Sequence, residues 1–497
     1  MPVPRPGTAG PPRLPRPAPA ERAASARLGA LAAAARDGRA AAEEEFWAEV
    51  AERGAPLIEP IPGDAAHRAV TFLWRGTAAT RRVLALVNRL ADPLDLSGSL
   101  MRNVPATDVW GITYRLGLDH SGSYRLAEGT GPAGTDLRGL AARAVHDPLN
   151  PRTVPIRWDD GRASVFALPG APAPPWRPWD SPSTTGTAPE GTVRRERVRS
   201  AALGGERDVW VYVPPGRRSG DGPLDTLVLL DGDMWFAKCG VRELFDRLIA
   251  DGTVPPLAVL APHAVSNATR MAEFGGDPAH TEFLTSELMA WASERLPLSA
   301  DPARTAIAGE SLGGLTALHV GLEAPERFGK VLAQSSSLWW NPDGDPAADP
   351  WLTGRYARSD RRALRIHLRV GRHEWAMVDQ HRDLHRTLRA KGYPVAYTEY
   401  NGGHDYVCWA AGLAAGLTDL LGTPPSQRQS RHPRRTNDIA PTDDDPGGSR
   451  ARLHPDRRRV RRIGRRREIV RGQENRRRRR PAVRLRTGGP EARRRAE

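Results

Sequence analysis

Residues Arg304–Ala324 read RTAIAGESLGGLTALHVGLEA. The first five residues have the apolar, β-branched character of a buried strand, and the last ten have the composition of a helix. Between them, residues 309–313 form a G-x-S-x-G motif on a strand-to-helix turn. Such a turn needs small flanking residues because its backbone is crowded, and it exposes the serine hydroxyl above the sheet. The motif therefore predicts that Ser311 is a nucleophile and that the N–H of Leu312 faces a developing oxyanion.

The chain around this motif alternates strand-like and helix-like segments. The predicted strands are Val193–Val198, Asp208–Val213, Thr226–Leu230, Leu257–Pro262, Thr305–Ala308, Lys330–Gln334, Leu364–Val370 and Val395–Tyr400. The predicted helices include Thr281–Arg295, Leu315–Ala324, Asp379–Ala390 and a closing helix, Cys408–Leu421. This alternation predicts an α/β domain over residues 192–422, with a largely parallel sheet and helices on both faces.

The N-terminal half has a different pattern of apolar and turn-forming residues. Between residues 46 and 168, short β-branched and aromatic runs are separated by Gly, Pro, Asn and Asp, which is typical of a small antiparallel β-sandwich. The predicted strands there are Val70–Trp74, Arg82–Val87, Val109–Leu116 and Ser164–Leu168. Residues 169–191 are predicted to be a Pro-rich linker in which Trp176 and Trp179 dock onto a neighbouring domain. Residues 1–45 are predicted to be a disordered or partly helical extension, and residues 423–497 a disordered Arg-rich tail.

The charge of the chain is concentrated at one end. The formal net charge is +15 over 497 residues, but residues 423–497 hold 25 arginines against nine acidic residues. The remaining 422 residues carry 48 basic and 49 acidic groups, so specific nucleic-acid recognition by the folded part is not expected. Apolar runs are too short for a membrane span and the N-terminus makes a poor secretory signal, which predicts a cytoplasmic protein. Two cysteines, Cys239 and Cys408, exclude a disulfide framework and a Cys-rich metal site.

A serine nucleophile needs a base, and in this motif context the chain order is serine, acid, histidine. His404 lies in the Gly-rich loop NGGHD, residues 401–405, between the last predicted strand and the closing helix. The competing histidines are His373, His381 and His385. Glu374 is the favoured acid because it directly follows the predicted strand Leu364–Val370. The alternative acids are Asp379, Asp383 and Asp405.

A second oxyanion donor is expected after an early strand of the sheet. The segment LDGDMW, residues 230–235, follows the predicted strand Thr226–Leu230. Gly232 permits a tight turn that would aim the N–H of Asp233 or Met234 at the nucleophile.

These motifs together resemble the enterochelin (enterobactin) esterases. The motifs in the α/β part are LLDGDMW, GESLGG, GRHEWAM and NGGHDYVCW, in that order. The matching motifs in the N-terminal part are FWAEV, PLIEP, VTFLWRG, TDVWGITYRL, SGSYRL and DPLNP. The resemblance covers residues 46–422 and implies an α/β-hydrolase fold preceded by a small β-sandwich accessory domain.

The resemblance also implies a function and a set of site residues. It implies a serine esterase that opens the trilactone of a ferric catecholate siderophore inside the cell, with Ser311, His404 and Glu374 as triad. Iron would enter only as part of the substrate, and no cofactor is expected. The residues expected to contact the substrate are Arg270, Glu273, Arg372, Trp235 and Arg102. The alternatives are a general carboxylesterase of the esterase D type and a non-hydrolytic siderophore-binding protein.

Overall fold

The described part of the chain comprises an antiparallel N-terminal domain and an α/β domain. The computed structural model describes residues 18–131, 136–157, 160–179, 189–218, 220–342 and 350–422. The predicted disordered tail, residues 423–497, lies outside the described residues, as do residues 180–188 of the predicted linker.

Two four-stranded antiparallel sheets form the N-terminal domain. Its strands are β1 (Leu57–Ile61), β2 (Asp64–Arg75), β3 (Arg82–Val87), β4 (Arg102–Asn103), β5 (Val109–Gly117), β6 (Ser121–Gly129), β7 (Thr153–Pro155) and β8 (Arg162–Ala167). The strand orders are β1-β2-β5-β4 and β3-β6-β8-β7. The sheets share one core, in which the ring of Phe72 from the first sheet lies 4.6 Å from Tyr124 and 5.4 Å from Phe166 of the second. The four strands predicted here are confirmed.

Helices pack against both sheets of this domain. They are α1 (Ala26–Arg36), α2 (Ala42–Arg53) and α3 (Leu137–Ala141). Ser25 caps α1 by accepting a hydrogen bond from the N–H of Leu28, and its hydroxyl donates to Glu59 of β1. Leu31 and Phe46 are buried in a cluster that includes Leu73 of β2. Helix α1 agrees with the prediction of a partly helical segment, and residues 18–45 pack onto the domain because their apolar side chains cover a sheet face.

Six parallel strands and two antiparallel strands form the sheet of the α/β domain. They are β9 (Thr192–Ser200), β10 (Gly205–Val213), β11 (Asp225–Leu229), β12 (Leu257–Pro262), β13 (Thr305–Glu310), β14 (Lys330–Gln334), β15 (Arg365–Gly371) and β16 (Val395–Tyr400). The strand order is β16-β15-β14-β13-β11-β12-β10-β9, with β9 and β10 antiparallel. All eight predicted strands are confirmed, and the carboxyl ends of β11, β13, β14, β15 and β16 meet at one edge.

Helices cover both faces of this sheet. They are α4 (Arg242–Ala250), α5 (Asn267–Glu273), α6 (Pro278–Glu282), α7 (Leu288–Ser293), α8 (Leu312–Glu323), α9 (Trp351–Arg358), α10 (Ala376–Ala390) and α11 (Tyr406–Leu421). The closing helix α11 begins two residues earlier than predicted, because Asp405 caps it by accepting a hydrogen bond from the N–H of Cys408. None of the helices in the described ranges has the length and apolar character that crossing a bilayer requires.

The described part of the predicted linker is packed. Trp176 is 4% exposed and belongs to a cluster with Tyr212 and Phe245 of the α/β domain. The carbonyl of Pro175 accepts a hydrogen bond from the guanidinium of Arg247 at 2.6 Å. Docking of Trp176, which the sequence predicted, is confirmed.

Candidate active site

Ser311 occupies a sharp turn between β13 and α8. Its φ is 58° and its ψ is −121°, a conformation that non-glycine residues rarely adopt. Small neighbours allow this turn. A Cβ at Gly309 would lie 2.5 Å from the carbonyl carbon of Gly313, and one at Gly314 would lie 2.6 Å from Ser336 Oγ. The predicted elbow is therefore present, with the serine at the carboxyl edge of the sheet.

The structure brings Glu374 and His404 into direct contact. His404 Nδ1 lies 2.6 Å from Glu374 Oε2, and Glu374 is 1% exposed. The other carboxylate oxygen accepts hydrogen bonds from Ser335 Oγ (2.6 Å), Gly371 N (2.7 Å) and Tyr400 OH (3.1 Å). Burial raises the pKa of Glu374, but the contact with His404 and these hydrogen bonds outweigh it and lower that pKa to about 2. The carboxylate therefore stays ionised beside the imidazole.

A loop of three serines, Ser335–Ser337, connects the acid to the nucleophile. Ser335 hydrogen-bonds to Glu374, and its hydroxyl accepts a hydrogen bond from Trp409 Nε1 at 3.0 Å. Ser337 Oγ lies 3.3 Å from Ser311 Oγ. Within the described ranges, no hydrogen bond joins the Ser311 hydroxyl to His404. The serine loop thus contacts both the acid and the nucleophile.

The competing histidines have other partners. His381 is fully buried, with Nδ1 2.7 Å from Met377 O, and Nε2 accepting from the N–H of Ser336 at 2.9 Å. His373 contacts Asn401, and the ring of His385 stacks on Tyr397. The alternative acids are also engaged, because Asp379, Asp383 and Asp405 contact Arg382, Arg386 and Ser123. Glu374 and His404 are thus the predicted pair that the fold joins.

The turn after β11 is only partly consistent with the prediction that it supplies the second oxyanion donor. The N–H of Met234 donates to the carbonyl of Asp231 at 2.9 Å, so it is used within the turn and the prediction for Met234 is wrong. The carboxylate of Asp233 accepts a hydrogen bond from the N–H of Ala264 at 3.1 Å. Gly232 is required here, because a Cβ would lie 2.2 Å from Ala261 O. Leu312 lies in the first turn of α8, where backbone N–H groups have no partner within the helix.

A buried ion network lies behind the elbow. Arg270 is 6% exposed and forms a bidentate pair with Asp231, with both N–O distances 2.7 Å. It also donates to the carbonyl of Glu310 at 3.1 Å. Arg157, from the N-terminal domain, donates to Asp231 at 3.0 Å. The guanidinium of Arg270 thus neutralises a buried carboxylate, and its contact with the substrate stays a prediction.

Two further residues that are predicted to contact the substrate, Trp235 and Glu273, also have partners within the protein. Trp235 is fully buried, and its Nε1 donates to Glu310 Oε2 at 3.2 Å. Glu273 pairs with the guanidinium of Arg207 at 2.6 and 2.8 Å. Burial and the nearby Asp231 raise the pKa of Glu310, whereas Arg157 and Arg270 oppose that rise.

The two remaining predicted contact residues are exposed. Arg372 lies at the end of β15, where its N–H donates to the carbonyl of Tyr400. Arg102 lies on β4 and lines a cavity of about 660 Å³ that contains no candidate triad residue. Arg102 therefore does not line the cavity that contains His404, which is a second and separate cavity.

A cavity of about 540 Å³ contains the candidate base. It is lined by His404 and Trp375 from the α/β domain, and by Asn88, Arg89, Arg125 and Arg138 from the N-terminal domain. The guanidinium of Arg89 lies 5.2 Å from the centre of the Trp375 ring. Sequence reasoning missed these arginines, although Arg89 follows a predicted strand and Arg125 lies in the SGSYRL motif. No local spacing indicates that they meet a loop some 265 to 315 residues later.

Comparison with known proteins identifies the family. The family model Enterochelin esterase, N-terminal, matches residues 69–177, and the Esterase model matches residues 200–420. The chain is 32% identical to the iron(III) salmochelin esterase of Escherichia coli O6:H1 over 395 residues, which is 76% of this chain and 93% of that protein. The chain belongs to the enterobactin esterase family. It is an ester hydrolase with an α/β-hydrolase-like fold and an N-terminal domain.

Other members of the enterobactin esterase family extend the match. The iron(III) enterobactin esterase of Dickeya dadantii is 32% identical over 432 residues, covering 79% of this chain and 96% of that protein. The enterobactin esterase of Shigella flexneri, solved in the presence of enterobactin, superposes with a TM-score of 0.65 at 28% identity. That match covers 76% of this chain and 97% of the Shigella chain. The likeness thus includes both domains.

Proposed function

We propose that this protein is a serine esterase that hydrolyses the ester backbone of a catecholate siderophore such as ferric enterobactin, so that iron is released in the cytoplasm. One observation carries the proposal. The imidazole paired with Glu374 lines a cavity whose other walls include three arginines and Trp375. The cationic side chains suit a strongly anionic ferric catecholate, and the aromatic face suits its rings.

The first half of the reaction forms an acyl-enzyme. Glu374 accepts a hydrogen bond from the Nδ1–H of His404, which fixes the tautomer in which Nε2 is free to take the proton from Ser311 Oγ. As that proton moves to Nε2, Oγ bonds to the carbonyl carbon of a lactone ester. The negative charge on the carbonyl oxygen is stabilised by the N–H of Leu312 and that of Asp233.

The second half regenerates the serine. Collapse of the tetrahedral intermediate breaks the ester C–O bond, and the imidazolium of His404 gives its proton to the leaving alkoxide. Water then loses a proton to His404 and bonds to the acyl carbon. The second collapse breaks the bond to Ser311 Oγ, which takes back the proton, and a carboxylate is released. Iron takes part only as cargo of the substrate, and no cofactor is required by these steps.

The test compares the parent protein with Ser311→Ala on a cyclic tris-catecholate trilactone, iron-free and iron-loaded, with products separated by chromatography. We expect linear products from the parent only. Hydrolysis of aryl esters without trilactone opening would instead identify a general carboxylesterase. Tight binding without turnover would identify a siderophore-binding protein.

The role of the cationic wall is tested by Arg138→Gln. Its matched control is Arg143→Gln, an exposed arginine of the same domain that does not line the cavity. We expect the first variant to raise KM for the ferric trilactone several-fold and to leave KM for a neutral aryl ester unchanged. Equal effects of the two variants would contradict this assignment.

A further inference from the structure

The backbone of His404 is held by a side chain of the other domain. The N–H of His404 donates to Asn88 Oδ1 at 2.7 Å, and its carbonyl accepts from Asn88 Nδ2 at 3.2 Å. Asn88 directly follows β3, and its own N–H donates to the carbonyl of Ser123 at 2.9 Å. One carboxamide therefore satisfies both peptide groups of the candidate base, in the way that a neighbouring strand would.

The same loop is held by the N-terminal domain on both sides of His404. The carboxylate of Asp405 accepts hydrogen bonds from Ser123 N at 2.8 Å and Ser123 Oγ at 2.7 Å. The amide of Asn401 donates to Asp119 at 2.8 Å. The histidine loop thus docks onto the N-terminal domain along its whole length, and Asn88 contacts its centre.

Gly403 allows this close approach. A Cβ at residue 403 would lie 2.3 Å from Asn88 Oδ1 and 2.9 Å from Arg89 Cγ. Any larger residue would therefore push the loop away from Asn88. The contact between the loop and Asn88 therefore depends on both the glycine at residue 403 and the carboxamide at residue 88.

The position of the His404 ring matters because the imidazole must contact both the acid and the nucleophile. It must keep its 2.6 Å contact with Glu374 while Nε2 reaches the Ser311 hydroxyl, which in this structure is paired with Ser337. Within the α/β domain, the hydroxyl oxygen of Tyr400 lies 3.0 Å from the carbonyl oxygen of Gly403 and 3.1 Å from Glu374 Oε1, and the two acceptors share its one proton. The charged groups that act on the imidazole are Glu374, Arg89 and Asp405. A shift of about 1 Å in such a group can cost about 100-fold in rate.

We propose that Asn88 is a positioning residue for His404, so that the N-terminal domain completes the catalytic apparatus as well as lining the cavity. The inference rests on the proposed function, because it takes His404 as the general base. Asn88 touches neither the reacting atoms nor the nucleophile, and it acts through the backbone of residue 404.

The experiment measures kcat and KM for Asn88→Asp and Asn88→Leu with the trilactone and with p-nitrophenyl butyrate. We expect kcat to fall about 10- to 100-fold on both substrates, with KM for the aryl ester changed less than about twofold. The added carboxylate of Asn88→Asp should raise the pKa of His404, so the acid limb of its kcat profile moves to higher pH. The apolar Asn88→Leu should show no such movement.

The matched controls are Asn103→Asp and Asn103→Leu. Asn103 also makes two hydrogen bonds to backbone carbonyls, of Thr107 and Val109, but within its own domain. We expect these controls to keep the parent kcat. Gly403→Ala breaks the contact from the opposite side and should reproduce the loss of kcat if Asn88→Leu fails to fold.

Melting temperatures separate positioning from general stability. Folded Asn88 variants with parental kcat and an unmoved pH profile would overturn the inference. A parent that hydrolyses the aryl ester but not the trilactone would refute the proposed substrate, while the aryl-ester kinetics still decide the role of Asn88. A parent that hydrolyses neither ester, and whose Ser311 does not react with a fluorophosphonate, would overturn both.

Discussion

Glu374 is the acid whose environment is best defined. All its described contacts favour the carboxylate: the imidazole of His404, the hydroxyls of Ser335 and Tyr400, and the N–H of Gly371. Glu374→Gln presents either an oxygen or an NH₂ group to Nδ1, without the negative charge that stabilises the imidazolium. We expect kcat to fall by on the order of 10³- to 10⁴-fold, by analogy with the same change in serine proteases. Steady-state kinetics at matched melting temperature test this, and a loss below tenfold would contradict it.

The pH profile reports on the same pair. Burial lowers the pKa of His404 below its ordinary value of 6.5, although Glu374 raises it in part. The neutral imidazole is the active base, so we expect the midpoint of the acid limb of kcat/KM for an aryl ester to lie below pH 6.5. Stopped assays between pH 4.5 and 8 test this. A midpoint above pH 7 would show that the charge of Glu374 outweighs burial.

The charged residues show which contacts could be predicted from the sequence and which could not. Ser311, Glu374 and His404 could be singled out because each lies at the end of a strand or in a short loop, and local patterns report strand ends. Arg270 and Glu273 are expected at the substrate because they match an arginine and a glutamate that the family resemblance implies in this loop. Their partners, Asp231 and Arg207, are 39 and 66 residues distant, and only the folded chain brings them together.

The element that shapes the nucleophile is the junction of β13 and α8. Gly309→Ala would add a Cβ 2.5 Å from the backbone of Gly313, which cannot move without displacing the first turn of α8. We expect a loss of about 1–3 kcal/mol in the free energy of unfolding, as for other overpacked sites. We also expect kcat to fall, because Ser311 and the N–H of Leu312 shift together.

The control for this prediction is Gly205→Ala at the start of β10. No atom lies within 4 Å of a Cβ at that position, so kcat should stay at the parental value. Denaturant unfolding and aryl-ester kinetics measure both variants. Equal stability of Gly309→Ala and the parent would show that the elbow tolerates a methyl group.

Strand β6 is one of those that local patterns do not predict. Its sequence, SGSYRLAEG, begins with small polar residues that indicate a loop when they are read locally. In the structure, Ser123 donates hydrogen bonds from its N–H and its hydroxyl to the carboxylate of Asp405. A polar side chain within this strand therefore contacts the histidine loop, which comes about 280 residues later.

At the scale of the whole molecule, the sequence indicated two domains but not how each depends on the other. The sequence predicts a small β-sandwich, a Pro-rich linker and an α/β domain, and it assigns no residue of the N-terminal domain to the interior of the α/β domain. The structure instead inserts Arg157 of the N-terminal domain among the buried acids of the α/β domain. Such dependence is invisible in local patterns, because an arginine in a loop is more often solvated than buried.

Arg157→Met tests this dependence. Asp231, which is fully buried, would keep Arg270 as a partner but would lose the second cation, whose Nη2 also lies 3.6 Å from Glu310 Oε1. Removing one partner of a buried ion pair typically costs about 3–5 kcal/mol, and we expect that loss in urea unfolding. The control, Arg386→Met, breaks an exposed pair with Asp383 and should cost less than about 1 kcal/mol. Equal losses would mean that the α/β domain neutralises its own acids, and the N-terminal domain would then be dispensable for folding.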